Sequence, residues 1–364
     1  MNQRELSGLR RDLLNWFGEV RRDLPWRSTP NAYHIWVSEV MLQQTQVTTV
    51  IPYFKRFVEK YPNLLTLSAA DLQDVLKLWE GLGYYARARN LHRAARMLIA
   101  DGRQSVPCIY DEFRALPGVG EYIAAAVLSI AFGQPYAALD GNVTRVLARL
   151  FAIGDLVGSA GANRLFRERA AALLDQSRAG DHNQAMMELG ATVCRPRDPS
   201  CDRCPLNTYC EAFATGRQLE FPVKKRKKPI PKYHIAVGVI QKNDRVLITR
   251  RKPSGLLGGL WEFPGGKVGA GETPEDACVR EIGEEVDLDV EVVDYVTHVD
   301  HAYSHFKIGV DVFACRYRAG NVKLQGPVDY RWILVDEIDD YPFPGANHKF
   351  LPIVKKRLKT DDDG

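Results

Sequence analysis

Four cysteines within 17 residues, Cys194-x6-Cys201-x2-Cys204-x5-Cys210, place the tightest constraint on how this chain can fold. Thiolates so close in sequence can converge on one inorganic centre, and a loop built around such a centre has little freedom to do anything else. Spacing alone fits zinc and a [4Fe–4S] cluster equally. The other cysteines, Cys108, Cys278 and Cys315, are scattered, which suits a reducing compartment better than a disulfide framework. Upstream, Leu116-Pro117-Gly118-Val119-Gly120 reads as a tight turn between two helices. Gly118, Val119 and Gly120 would bring the second helix's unpaired N–H groups up to an anion such as a phosphate.

A chain of 364 residues is too long for one ordinary core and predicts two or three domains. No apolar run approaches the roughly 20 residues that span a bilayer, and the start lacks a signal-peptide core. The expectation is therefore a cytoplasmic protein with no membrane partner. The net charge of +4 divides unevenly: +3 over residues 1–220, +6 over 221–232 and −5 over 233–364. The basic, proline-containing stretch 221–232 reads as a linker, either a solubilising tether or a strap on phosphates. Before it, apolar residues recur at helical spacing over Leu9–Val20, Asn31–Phe57, Ala69–Trp79, Arg87–Ala100, Ile123–Ala131 and Asn142–Leu150. After it come β-rich runs at Ile235–Ile240, Arg245–Thr249, Lys307–Cys315 and Tyr330–Val335 around one acidic helix. Residues 359–364 read as a disordered tail.

Two acids stand out in the helical part. Glu39 lies in Trp36-Val-Ser-Glu39-Val-Met, an apolar stretch that should desolvate its carboxyl, raise its pKa and keep it protonated as a general acid. Asp140, in Leu139-Asp-Gly-Asn142-Val143, is placed to cap the helix that follows. It is equally placed to set a carboxylate beside a sugar that becomes oxocarbenium-like.

In this order, the motifs Leu24-Pro-Trp26-Arg27, Trp36–Thr45, Gly81-Leu-Gly-Tyr84-Tyr85, Leu116–Gly120, Leu139–Val143 and the four cysteines resemble the adenine DNA glycosylases of the MutY family. Those enzymes act on adenine mispaired with guanine or 8-oxoguanine. The resemblance implies an all-α helix-hairpin-helix domain over 1–220, whose loop 194–210 holds a [4Fe–4S] cluster on Cys194, Cys201, Cys204 and Cys210. It implies that Glu39 protonates N7 of an extruded adenine and that Asp140 stabilises the sugar cation, with Tyr122 and Asn142 supporting. Arg27 and Gln184 match positions lining the adenine pocket, and Tyr84 matches an aromatic that enters the base stack. Gln44, Thr45 and Leu82 match positions near the orphaned 8-oxoguanine. Arg195, Arg197 and Arg203 would form a basic loop braced by the cluster. Related enzymes that also cut the strand carry a lysine in the hairpin helix; Gly120-Glu-Tyr122-Ile-Ala has none, which implies base removal without efficient strand cleavage.

Residues 233–358 carry a second signal. Gly265-Gly266-Lys267, Glu272 and Arg280-Glu281-Ile-Gly-Glu284-Glu285-Val fit the Nudix box, with Asp287 where a final glycine is expected. Glu281, Glu284 and Glu285 share one helical face and could gather Mg²⁺ around a diphosphate. The resemblance implies a Nudix-type α/β/α sandwich that recognises 8-oxoguanine, with Tyr303-Ser304-His305 and Asn347 matching base-reading positions. The near-intact box adds a hypothesis of Mg²⁺-dependent 8-oxo-dGTP hydrolysis. Expected partners are duplex DNA with A:8-oxoG or A:G mispairs and 8-oxo-dGTP, bound by a monomer in a bacterial cytoplasm. Three readings compete: a glycosylase/lyase for oxidised pyrimidines, a DNA-tethered nucleotide pyrophosphohydrolase, and a non-catalytic mismatch sensor.

Overall fold

The computed structural model describes residues 2–28, 30–225 and 229–361. Residues 226–228 of the expected linker and 362–364 of the expected tail lie outside the described residues. Packing separates the chain into two compact units, Met1–Ala69 with Asn90–Lys227, and Ala70–Arg89 with Lys228–Gly364. The unit boundary therefore differs from a single cut near 220, because residues 70–89 pack with the C-terminal half.

Up to residue 225 the regular elements are helical: α1 (Gln3–Val20), α2 (Ala32–Leu42), α3 (Val47–Lys60), α4 (Leu64–Ala69), α5 (Leu72–Trp79), α6 (Ala86–Ala100), α7 (Tyr110–Arg114), α8 (Glu121–Phe132), α9 (Gly141–Leu150), α10 (Ala160–Leu173), α11 (Ala179–Thr192) and α12 (Glu211–Ala214). Helix α1 starts at a reciprocal cap, Asn2 and Glu5 each accepting the other's backbone N–H at 2.8–2.9 Å. It buries Leu9, Leu13 and Phe17 against α9, α10 and α11, where Val146, Leu147, Phe166, Leu173, Met186 and Leu189 complete the core of the first unit. Each such side chain stabilises by about 1.5–3 kcal/mol on leaving water.

The helical reading of Asn31–Phe57 as one periodic stretch requires correction. Gln43–Gln46 separates α2 from α3, with Gln44 in the left-handed region at φ +56°. Helices α10 and α11 were not anticipated in the sequence.

The second unit holds α5, the Glu80–Tyr85 turn and the start of α6, then a mixed sheet of β1 (Lys232–Lys242), β2 (Arg245–Arg250), β3 (Trp261–Glu262), β4 (Gly265–Lys267), β5 (Asp289–Ala302), β6 (Lys307–Ala319) and β7 (Asp329–Leu334). Its order is β3-β2-β1-β6-β5, with β4 on β1 and β7 on β2; β1 and β6 run parallel and the other pairs are antiparallel. Alternation of side chains sends Ala236, Ile240, Phe313 and Cys315 to α13 (Pro274–Val286) and Val239, Val310 and Val312 to α14 (Asn347–Asp361). The sheet is thus covered on both faces, the expected α/β/α sandwich. Helix α14 runs to Asp361, so residues 359–361 of the expected tail continue it.

Candidate active site

Helix α2 is apolar on every side, with Tyr33 and Ile35 through Met41 buried. Such a helix carries an ionisable group only where something else needs it. Glu39 is 4% exposed and accepts a hydrogen bond from the Tyr122 hydroxyl at 2.5 Å. Burial pushes its pKa up to about 7; the Tyr122 bond opposes the rise, the Asp140 charge adds to it and Arg27 opposes it. Tyr122 stands in the first turn of α8, delivered by the Leu116–Gly120 turn. There Gly118 has φ +79°, and a Cβ on it would lie 2.8 Å from Asn90 Cβ. The first amides of α8 have no carbonyl one turn earlier to bond, the basis of the expected phosphate grip.

Asp140 caps α9 and also lines the cavity that Glu39 lines. Its carboxylate accepts from Val143 N at 2.7 Å and Asn142 Nδ2 at 3.0 Å. Burial raises its pKa as well, while those donors and the Arg145 charge favour the ionised form. Asn142 is itself fixed: Arg145 Nη2 donates to Asn142 Oδ1 and to Gly190 O, each at 2.7 Å, and Arg145 Nε donates to Cys194 O at 2.8 Å. Helix α11 comes this close because it carries glycines where it meets its neighbours. A Cβ on Gly180 would lie 2.6 Å from Ser129 O, and one on Gly190 2.6 Å from Asn142 Cβ.

Arg27, Glu39, Gln44, Thr45, Tyr122, Asp140, Asn142 and Gln184 all line one open cavity of about 1050 Å³ in the first unit. Arg27 Nε donates to Gln184 Oε1 at 3.0 Å, and Arg27 Nη2 donates to Glu188 Oε2 at 2.9 Å. Glu188 also pairs with Arg22 at 2.5 Å; burial raises its pKa, but the two guanidiniums outweigh it and hold the carboxyl below its ordinary range. Sequence reasoning missed Arg22, Glu188 and the role of Arg145. An acid one turn after Gln184, in the otherwise uncharged stretch His182–Cys194, was the available signal.

The four cysteines also come together, around a small space closed by Val146, Leu150, Leu189, Leu206 and Phe213. Arg149 Nη1 donates to Cys194 Sγ at 3.3 Å and to Arg195 O at 2.7 Å. Burial raises the Cys201 and Cys210 thiols and pushes Cys204 up to about 12, which a bound cation would reverse. Four thiols in an apolar wall, with a guanidinium on one sulfur, fit a thiolate-held metal centre. On the same loop, Arg195 is tied to Asp198 at 2.9 Å, while Arg197 and Arg203 are exposed.

In the second unit, Gly265 and Gly266 lie so close to their neighbours that a Cβ would sit 2.2 Å from Ala236 O and 2.1 Å from Glu281 Oε2. The turn therefore rests on the acidic face of α13. Glu285 accepts from Gly265 N at 3.2 Å, and burial next to Glu262 pushes it up to about 7. Arg280 bridges Glu281 at 3.0 Å and Glu284 at 3.1 Å, the place a cation would take. Asp287 keeps the helix-ending conformation of the missing glycine, at φ +56° and ψ 39°, and its carboxylate pairs with Lys323 at 2.8 Å. Asp enters the left-handed region more easily than most residues, so it can stand where a glycine is expected.

Tyr303, Ser304 and His305 form the turn between β5 and β6. The Tyr303 hydroxyl is bonded to the Ala346 backbone, beside the buried Asn347. Tyr84, at φ +49°, donates from its hydroxyl to Ser304 Oγ at 2.7 Å, and Leu82 is buried two residues before it. These residues all belong to the second unit. Among the described residues, no helix is long and apolar enough to cross a membrane.

Two family models match the chain: the HhH-GPD superfamily of base excision DNA repair proteins over residues 37–170, and the NUDIX domain over 236–352. The adenine DNA glycosylase of Rattus norvegicus is 35% identical over 98% of this chain and 79% of its own length. That of Homo sapiens is 34% identical over 92% and 71%. Among solved structures, a thermostable thymine-DNA glycosylase aligns at TM-score 0.52 and 29% identity, over 58% of this chain and 98% of that one. Endonuclease III, in a trapped covalent intermediate with DNA, aligns at TM-score 0.51 and 24% identity, over 59% and 99%, a likeness of fold.

Proposed function

Because this chain belongs to the adenine DNA glycosylase family, we propose that it hydrolyses adenine from DNA opposite 8-oxoguanine or guanine and leaves the strand uncut. Membership makes it an enzyme of base excision repair. The observation that carries the finer reading is the pairing, in one cavity, of a buried acid at about 7 with a capped carboxylate.

Near neutral pH Glu39 holds a proton that it can give to N7 of an extruded adenine, and the Tyr122 hydroxyl fixes which oxygen faces the base. Protonation makes the base a neutral leaving group; a positioned general acid of this kind contributes about 10²–10⁴ in rate. As the glycosidic bond lengthens, positive charge grows on the deoxyribose, and the Asp140 carboxylate meets it, kept ionised by Val143 N and Asn142. Glu39, now deprotonated, accepts a proton from the water that attacks the sugar, so the products are adenine and an abasic site. Arg27 and Gln184, bonded to each other, give the pocket a polar wall for the purine edge. No lysine lies between Leu116 and Ile130 to form a Schiff base, which supports hydrolysis alone.

In the second unit, Tyr303, Ser304, His305, Asn347, Tyr84 and Leu82 are the residues we assign to reading 8-oxoguanine, while Gln44 and Thr45 line the Glu39 cavity of the first unit. Cys194, Cys201, Cys204 and Cys210 would hold a [4Fe–4S] cluster, which supplies a rigid brace for the loop bearing Arg195, Arg197 and Arg203. Glu281, Glu284 and Glu285 would hold Mg²⁺, which neutralises a diphosphate when bound. The retained left-handed turn at Asp287 favours hydrolysis of 8-oxo-dGTP as a second activity.

A labelled duplex with adenine opposite 8-oxoguanine tests the first activity. Breaks should appear only after alkali and disappear with Glu39→Gln; breaks without alkali, a borohydride-trapped adduct, or undiminished release by Glu39→Gln would overturn it. Monophosphate and pyrophosphate formed from 8-oxo-dGTP with Mg²⁺, above a Glu284→Gln control, tests the second.

A further inference from the structure

The sheet of the second unit carries a cluster that neither activity uses. His234 on β1, Asp311 on β6 and His298 on β5 come from three adjacent strands, with His298 directly opposite Asp311 and Ala236 opposite Asp311 on the other side. Side chains at positions 234 and 236 share a face of β1, so all three groups project from the same side of the sheet. The imidazole of His234 meets Asp311 Oδ2 through Nε2 at 2.5 Å, and that of His298 meets Asp311 Oδ1 through Nδ1 at 2.7 Å. One nitrogen from each ring and one carboxylate oxygen lie within 4.8 Å of one another.

We propose that His234, His298 and Asp311 form a binding site for Zn²⁺ or a similar borderline divalent ion, made of different residues from the Glu281, Glu284 and Glu285 set.

Two imidazoles and one carboxylate are a donor set for a d-block ion, whereas Mg²⁺ prefers oxygen ligands. Four-coordinate zinc holds its donors at about 2.0–2.2 Å, which spaces them roughly 3.3–3.6 Å apart. Opening the present contacts to that spacing takes roughly 1 Å of side-chain rotation, with each ring carrying its proton on the nitrogen that faces away from the ion. The carboxylate is anchored from behind by the Tyr295 hydroxyl, which donates to Asp311 Oδ1 at 3.2 Å, the kind of outer contact that orients a metal ligand.

The backbone also makes room for the site. Gly309 is the residue of β6 opposite His234, and a Cβ there would lie 2.9 Å from His298 Cε1 and 3.1 Å from its Nε2. The His298 ring therefore lies over a position that only glycine leaves free. Asp311 is 11% exposed while His234 and His298 are 47% and 41% exposed, so the carboxylate forms the floor and the imidazoles the rim. Three protein donors and an open rim leave a fourth position to water. Asp300 Oδ2 lies 3.9 Å from His298 Nε2, outside the donor set, and Asp300 is itself paired through Oδ1 with Lys232 Nζ at 3.3 Å.

Equilibrium dialysis of the tag-free full chain against Zn²⁺, with zinc and iron counted separately, tests this. The wild type should hold one zinc per chain more than His234→Ala/His298→Ala, and Glu281→Gln/Glu284→Gln should match the wild type. A circular dichroism spectrum and melting transitions like the wild type's report that both units of the histidine variant are folded. Should that variant fail to fold, the wild type still decides the matter: Zn²⁺, but not Mg²⁺, should protect His234 and His298 from carbethoxylation, read by peptide mass at each residue. Equal zinc in wild type and variant, or equal labelling with and without Zn²⁺, would overturn the site.

Discussion

Replacing Glu39 with glutamine should make the protein more stable, by an amount that grows as pH rises from about 4.5 through about 7 and is constant above that. The native carboxyl titrates at about 7 against an ordinary 4.5, because burial disfavours its charge. Between those values the folded chain binds a proton that the unfolded chain has released, so this group's contribution to stability declines as pH rises through the interval. At 1.36 kcal/mol per pH unit the full decline is about 3 kcal/mol. Glutamine has nearly the same shape, can still accept from the Tyr122 hydroxyl and has no charge to bury. Denaturation of wild type and Glu39→Gln, followed by helix signal, should therefore coincide near pH 4.5. At pH 8.5 they should separate by about 2–3 kcal/mol in favour of the variant, roughly 4–12 °C for a unit of this size. A difference independent of pH, or a variant less stable at pH 8.5, would refute the claim that this acid is held against its solvation for catalysis.

Tyr122→Phe removes the hydroxyl that orients the Glu39 carboxyl, so the variant should be slower; because that donor also favours ionised Glu39, activity should persist to higher pH than the wild type's, read from single-turnover rates across pH. Gly190→Ala places a Cβ 2.6 Å from Asn142 Cβ and 2.9 Å from Asn142 O, which should force α11 from α9 and destabilise by about 1–3 kcal/mol in urea denaturation. Its adenine release should fall more than its DNA affinity, because the displaced group supports Asp140. At Asp287, glycine should be tolerated or stabilise by up to about 1 kcal/mol, whereas valine, strained at φ +56°, should lower the melting temperature.

The features that were legible in the sequence are those set by neighbours along the chain. Glu39 is visible because all six other residues from Ile35 to Met41 are apolar or small; Asp140 is visible because a cap precedes its helix by position alone. The cysteine loop and the Nudix box are likewise local. What escaped depends on chain segments far apart. Glu188 is buried because Arg22 and Arg27 reach it from 166 and 161 residues away, and nothing local announces that. The break at Gln43–Gln46 lacks a glycine or proline, so a residue with φ +56° passes for continuing helix. Strand β5 alternates poorly, with register shifts between Asp289 and Val290, Val292 and Asp294, and Tyr295 and Thr297, so its period was hidden. The membership of residues 70–89 in the second unit rests on contacts such as Trp261 Nε1 to Gln73 Oε1 at 2.8 Å and Phe343 N to Glu80 Oε1 at 2.7 Å.

The central claim is that one cavity keeps two carboxyl groups in opposite protonation states while adenine leaves. The pH profile of single-turnover adenine release measures this most directly. The rate should decline as pH rises through about 7, where Glu39 gives up its proton, and decline again in acid as Asp140 gains one, with Asp140→Asn removing the acid limb along with most of the activity. A rate that climbs steadily from pH 5 to 9 would contradict it.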